Sequence, residues 1–201
     1  MHPWASARDQ AARLAKTDTD KALAVARTID DPWYKAQALA WVGVFCRNAR
    51  FRKILEEARA ASWSARDPYL IVGSSAWRLR AWIEQGEPNV AVEELDRLLQ
   101  QAELIEHPVS RLEALTLLLP SFHDLDEPRR RVLDAQIKAA GLAHSWRSGN
   151  RLRNSAIMLA SIGQPGEARR VVASMPEGKY KRQAMQGITD ARRLNFRPFF
   201  W

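Results

Sequence analysis

Apolar residues along this chain recur at spacings of three and four, and no stretch of five or more residues alternates cleanly between apolar and polar. A period near 3.6 belongs to helices and a period of two to half-buried strands. Val, Ile and Thr are sparse and scattered, and the hairpin dipeptides Asn-Gly and Asp-Gly are missing. Ala, Leu, Arg, Glu and Gln dominate instead, the residues that lose least on entering a helix. The pattern predicts an all-α chain.

Proline supplies the punctuation. Asp31-Pro32, Asp67-Pro68, Gly86-Glu87-Pro88, His107-Pro108, Glu127-Pro128 and Gln164-Pro165 each precede an Ala/Leu-rich periodic stretch. Proline suits the first helical turn because its missing N–H has no partner there anyway, and Asp before it caps the next amides. Helices are therefore expected at 4–16, 19–30, 32–47, 51–64, 68–85, 89–106, 108–121, 128–146, 150–163, 166–175 and 178–194, with Gly86, Gly149, Gly163 and Gly166 falling between segments. Connections this short make sequential helices antiparallel neighbours.

The segments also resemble one another. Aligned on each helix start, the chain reads Pro32-x-x-Lys35-x-x-Ala38-Leu39, Pro68-x-x-Ile71-x-x-Ser74-Ser75, Pro108-x-x-Arg111-x-x-Ala114-Leu115, Asn150-x-x-Arg153-x-x-Ala156-Ile157 and Gly178-x-x-Lys181-x-x-Ala184-Met185. The starts are 36, 40, 42 and 28 residues apart, the period range of helix-pair solenoids. A small residue in all five copies is what a close helix crossing demands.

On these residues the chain resembles tetratricopeptide-like repeat proteins. Ala160-Ser-Ile-Gly163-Gln-Pro-Gly166-Glu-Ala168 looks like the turn between the two helices of such a repeat; Ile83-Glu-Gln-Gly86-Glu-Pro-Asn-Val-Ala91 is similar, and Ala22 to Val42 resembles a junction between repeats. Spacing varies and Trp and Tyr are irregularly placed, so a HEAT-like or irregular superhelix fits as well. The resemblance implies a right-handed αα-superhelix of about five antiparallel helix pairs, one solenoid domain over 1–195 followed by an aromatic tail over 196–201. It implies a binding scaffold with a concave face, and no particular ligand.

Composition narrows the class. The chain has 201 residues, 46% of them apolar, and a single cysteine, Cys46, which excludes a disulfide framework and a cysteine-based zinc site. The longest apolar run, Ala38–Val44, is far short of the roughly 20 residues that span a bilayer. A cytoplasmic protein without membrane association is expected. Net charge is +8, and it is lopsided: residues 1–120 carry 16 Lys/Arg and 16 Asp/Glu, residues 121–201 carry 15 and 7. An anionic partner for the C-terminal part follows as one possibility.

The usual catalytic patterns are missing: no G-x-G-x-x-G, G-x-x-x-x-G-K-[ST], H-E-x-x-H, G-x-S-x-G or C-x-x-C occurs. No two of His2, His107, His123 and His144 are three or four residues apart, as two ligands on one helical face would be. The strongest enzyme-like groups are His123, Asp124 and Asp126 in His123-Asp-Leu-Asp-Glu127, where carboxylates also serve as helix caps. Cys46, next to Phe45 on an apolar helix, reads as a small core residue. The expectation is a non-enzymatic protein without cofactor or metal.

Binding residues are more legible. Lys35, Arg111, Arg153 and Lys181 occupy one position of successive helices, so stacking would line them up about 10 Å apart, a ladder suited to an acidic peptide or protein. Salt bridges between repeats, for example to Glu113, are the competing use. Trp33, Trp41, Trp77 and Trp82 fall inside Ala-rich helices, where most of them suit a core, while Trp33 and Tyr69 share the position after the helix-start proline and are candidate surface anchors. The second reading is a nucleic-acid module: Arg129, Arg130, Arg131, Arg147 and Arg151, interleaved with Trp146 and Tyr180, would supply phosphate contacts and stacking rings. The tail, Phe196-Arg-Pro-Phe-Phe-Trp201, is too apolar to hang in water, and either caps the fold or docks on a partner.

Overall fold

The computed structural model describes residues 3–143, 145–190 and 199–200. All regular structure among them is helical: α1 (Pro3–Ala15), α2 (Thr19–Arg27), α3 (Pro32–Phe45), α4 (Arg50–Ser64), α5 (Pro68–Glu84), α6 (Pro88–Glu103), α7 (Pro108–Leu118), α8 (Asp126–Leu142), α9 (Trp146–Ser161), α10 (Pro165–Ser174) and α11 (Lys179–Asp190). A 3₁₀ turn over Leu119–Phe122, built around Pro120, follows α7. No helix among the described residues is long and apolar enough to cross a membrane.

The helix starts follow from local chemistry. Asp31 accepts a hydrogen bond from the Tyr34 amide at 3.1 Å, and Asp67 from those of Tyr69 and Leu70 at 2.8 and 3.2 Å, with proline in the first turn each time. Asp18 caps α2 through the Lys21 amide at 3.0 Å, and that bond holds its carboxyl below the ordinary value. The expected boundary between α8 and α9 is shifted. Instead of running 128–146, α8 ends at Leu142, and α9 begins at Trp146 behind Ser145, whose hydroxyl accepts the Arg147 amide at 3.2 Å. Gly149 and Gly166, expected in turns, lie inside helices, whereas Gly86 and Gly163 have the positive φ of 79° and 80° that a turn glycine supplies. Gly149 is small for another reason: a Cβ there would come within 2.8 Å of the Tyr180 ring.

Contacts gather in two compact units, Met1–Leu104 with Phe200, and Ile105–Phe199. In the first, α1 packs on α2 and α3, α3 on α4 and α5, and α5 on α4 and α6. In the second, α7 packs on α8 and α9, and α9 on α10 and α11. The small residues of the aligned position, Ala38, Ser74, Ala114, Ala156 and Ala184, are all buried, as a close crossing requires.

Each unit has its own polar ties. In the first, the Gln85 amide nitrogen donates to the carbonyls of Gly43, Val44 and Cys46 at 2.9, 2.8 and 3.2 Å, tying the end of α5 to the last turn of α3. In the second, the buried Gln136 of α8 donates to the hydroxyls of Thr116 on α7 and Ser155 on α9, at 2.7 and 2.8 Å. Trp41, Trp82 and Cys46 are core residues. Of the aromatic tail, residues 196–198 and 201 lie outside the described residues; Phe199 is buried, and Phe200 meets Trp41 edge-on with centroids 5.0 Å apart.

Candidate functional site

Trp33 and Tyr69 each follow the proline that opens a helix, and α3 packs on α5, so the two rings come together. They stack with centroids 6.1 Å apart and planes 2° from parallel. Trp77, two turns along α5 from Tyr69, meets Trp33 edge-on at 6.2 Å. All three rings are half-buried, leaving an aromatic ledge on the first unit. Lys35 lies two residues from Trp33, close enough to Glu57 to help hold that carboxyl low, behind the larger effect of the Arg27 hydrogen bonds. Among the described residues Lys35 makes no ion pair. Trp77, expected with most of the Trp in the core, is half-buried and joins the ledge; its spacing of eight from Tyr69 puts both near one face of a helix.

The other three aligned cations serve their own unit. The Arg111 guanidinium donates from Nε and Nη2 to the Ile105 carbonyl at 3.1 and 2.9 Å, fixing the turn before α7. Arg153 donates to Gln183 on α11 at 3.0 Å and sits 5.9 Å from the Tyr180 centroid. Lys181 pairs with Glu177 at 2.6 Å.

The Arg cluster divides more sharply. Arg129, expected at the surface, is 1% exposed: its guanidinium donates to Glu167 at 2.9 Å, to Asp126 at 2.7 Å and to the His123 carbonyl at 2.8 Å. Burial alone would disfavour its charge, but these acceptors outweigh it and raise its pKa. Arg129 is therefore a structural cation joining α8 to α10. Arg130 is exposed with Glu167 at 3.6 Å, Arg131 has Glu127 at 3.6 Å, and Arg151 pairs with Glu113 at 3.0 Å, a bridge between α7 and α9. Arg147 is exposed and lies 5.9 Å from the centroid of Trp146.

One strong electrostatic feature went unread in the sequence. Arg78 on α5 is fully buried and donates from Nη2 to Glu94 Oε1 on α6 at 2.6 Å, while its Nε and Nη1 have no partner. Trp63 Nε1 donates to the same oxygen at 3.3 Å, and Arg59 lies 3.7 Å away. Burial pushes the Glu94 carboxyl up, but the Arg78 charge and these hydrogen bonds together hold it below the usual range.

Two of the groups around His123 have local partners. Asp126 is engaged by Arg129, and His123 Nδ1 is 3.2 Å from the Pro120 carbonyl. Among the described residues no group of three His, Cys, Asp or Glu side chains is placed to hold a metal ion; His2 and His144 lie outside them. No family model matches the chain, and neither a curated protein nor a solved structure matches it.

Proposed function

We propose that this chain is a non-enzymatic scaffold built from helix pairs, each unit a stretch of right-handed αα-superhelix, that holds a peptide or protein partner on the aromatic ledge of its first unit. The convergence of Trp33, Tyr69 and Trp77 carries the reading, with Lys35 two residues along α3 from Trp33. Half-exposed Trp and Tyr give large contact area at small loss of rotamer freedom, and such residues dominate binding energy at interfaces. The packing within each unit, where alternate helices touch, supports the superhelical arrangement. The partner is a segment with one apolar side chain for the ledge and a carboxylate for Lys35. Arg111, Arg153 and Lys181, which the aligned repeat puts in the same role, hold local structure and contribute less.

The test is selection of displayed random peptides on the purified chain. Enriched peptides are expected to combine an aromatic or aliphatic anchor with Asp or Glu, and Trp33→Ala is expected to weaken them by at least tenfold, about the 1.4 kcal/mol of a modest hot spot. Lys35→Glu should weaken acidic peptides and spare neutral ones. Peptides that bind Trp33→Ala and wild type equally would sink the proposal.

A further inference from the structure

The second unit carries a cavity of about 720 Å³ that the scaffold reading leaves unused. It forms where the α8–α9 connection and the α10–α11 connection bring the first residues of α9 and α11 together, and Trp146, Tyr180, Lys179 and Glu177 are among its walls. Trp146 is 65% exposed, unusual for the largest side chain. Tyr180 packs against Gly149, where a Cβ would come within 2.8 Å of its ring. The cavity thus has one ring presented to solvent and one packed against α9.

Cations surround these rings. The Arg147 guanidinium lies 5.9 Å from the Trp146 centroid and the Arg153 guanidinium 5.9 Å from that of Tyr180. Lys179, in the cavity wall, is exposed, and like Arg147 it makes no ion pair among the described residues. The carboxylate in the wall, Glu177, is already neutralised by Lys181 at 2.6 Å. Residues 105–201 hold 16 Lys/Arg and 9 Asp/Glu, so this part of the chain carries +7 of the +8.

We propose that this cavity binds single-stranded nucleic acid, a base stacking on Trp146 beside Tyr180 while the flanking phosphates meet Arg147 and Lys179. The chemistry selects this ligand on three counts. A flat, exposed ring suits any base, because every base has a π-face. The volume falls within the range that encloses a ligand of nucleotide size. Unpaired exposed cations next to the rings match a backbone that carries one charge per nucleotide. Duplex is a poorer fit, since its bases are already stacked on one another. The site belongs to a different unit from the aromatic ledge, so the two proposals stand or fall separately.

The experiment is fluorescence anisotropy of a labelled thymidine oligomer of about 12 nucleotides, titrated with the intact chain from about 50 to about 300 mM salt. Binding is expected to weaken steeply with salt and to exceed that of a duplex of the same length. Trp146→Ala should weaken it about tenfold, and Trp146→Phe should restore most of the loss; the ring is exposed, so unchanged circular dichroism will confirm that both variants fold. Lys179→Ala should lower the log–log salt slope by about one phosphate contact. Trp33→Ala should bind the oligomer as wild type does. Absence of binding at the lowest salt, or equal binding by Trp146→Ala, overturns the proposal. Two competitors decide the ligand class: adenosine monophosphate displacing the oligomer at equal nucleotide concentration would make this a free-nucleotide site, and hexaglutamate displacing it equally well would make it an acidic-peptide site. Either result overturns the single-strand assignment.

Discussion

The two units place their aromatic and charged residues in opposite ways. Residues 1–104 hold six of the eight Trp, with 15 Lys/Arg against 14 Asp/Glu, whereas residues 105–201 hold two Trp and the net charge of +7. The first unit takes a charge into its interior, with Arg78 fully buried against Glu94 and two guanidinium nitrogens left unpartnered. In the second, Arg129 is equally deep but its guanidinium meets three acceptors. One fold thus carries a buried cation in two ways, and the difference lies in how completely its donors are met. An unmet buried donor keeps its desolvation penalty, while a satisfied one offsets it.

The largest expected effect comes from breaking the incomplete pair. Arg78→Ala leaves Glu94, only 8% exposed, with Arg59 at 3.7 Å as its remaining counter-charge, and should destabilise the first unit by about 3 kcal/mol. Replacing both partners, Arg78→Met with Glu94→Leu, should recover most of that loss, because apolar side chains of similar volume carry no unmet donors. Urea unfolding followed by Trp fluorescence reports mainly on this unit, which holds six of the eight Trp. If single and double variants lose the same amount, the pair is not coupled and the contrast fails. In the second unit Arg129→Ala should cost about 2 kcal/mol, less than Arg78→Ala, because one of the carboxylates it leaves, Asp126, is 72% exposed and can return to water. Arg130→Ala, one residue away and exposed, should stay within about 0.5 kcal/mol of wild type.

A smaller effect separates the units by pH. The Glu94 carboxyl is held below its ordinary value of 4.5, so it binds a proton less readily folded than unfolded. Its stabilising contribution is therefore complete above the unfolded value and is lost as pH falls through the lower folded one. Wild type and Glu94→Gln should differ most at neutral pH and converge below pH 4.5. Arg129 has its pKa raised from an already basic value, so the guanidinium itself stays charged throughout the same acid range. A constant gap between wild type and Glu94→Gln down to the acid limit would show that the carboxyl acts through shape rather than charge.

How much of this could be read in the residues depends on the distance over which each feature is determined. The openings of α3 and α5 were legible because Asp, Pro and the capped amide lie within four positions. The start of α9 is less legible because Gly149 reads as a break, while the local signal, Ser145 as cap, stands four residues earlier. Trp33 and Tyr69 were legible as a matched pair through their equivalent positions, but their stacking needed α3 packed on α5. The depth of Arg129 was illegible, since it rests on Glu167, 38 residues away, and an Arg in an Arg-rich run looks like any exposed cation. The same holds for Arg78, whose partner Glu94 sits on the next helix.

The smallest expected effect tests whether the second unit's cavity depends on shape as well as charge. Gly149→Ala leaves every cation in place but sets a methyl 2.8 Å from Tyr180 Cδ2 and 3.2 Å from its Cβ and Cγ. Because Cβ and Cγ lie near the backbone, a rotamer change cannot relieve all three contacts, and α11 must move. Crowding of this kind costs about 1–3 kcal/mol, against roughly 1 kcal/mol gained by replacing a helical glycine, so a net loss of about 1 kcal/mol is expected. Gly141→Ala, also helical and with nothing within 4 Å of the new Cβ, should instead gain about 0.5 kcal/mol. The opposite signs are measurable as opposite shifts in Tm under one set of conditions. If both glycines gain stability on substitution, Tyr180 is not held by Gly149, and the first unit alone has a rigidly placed aromatic surface.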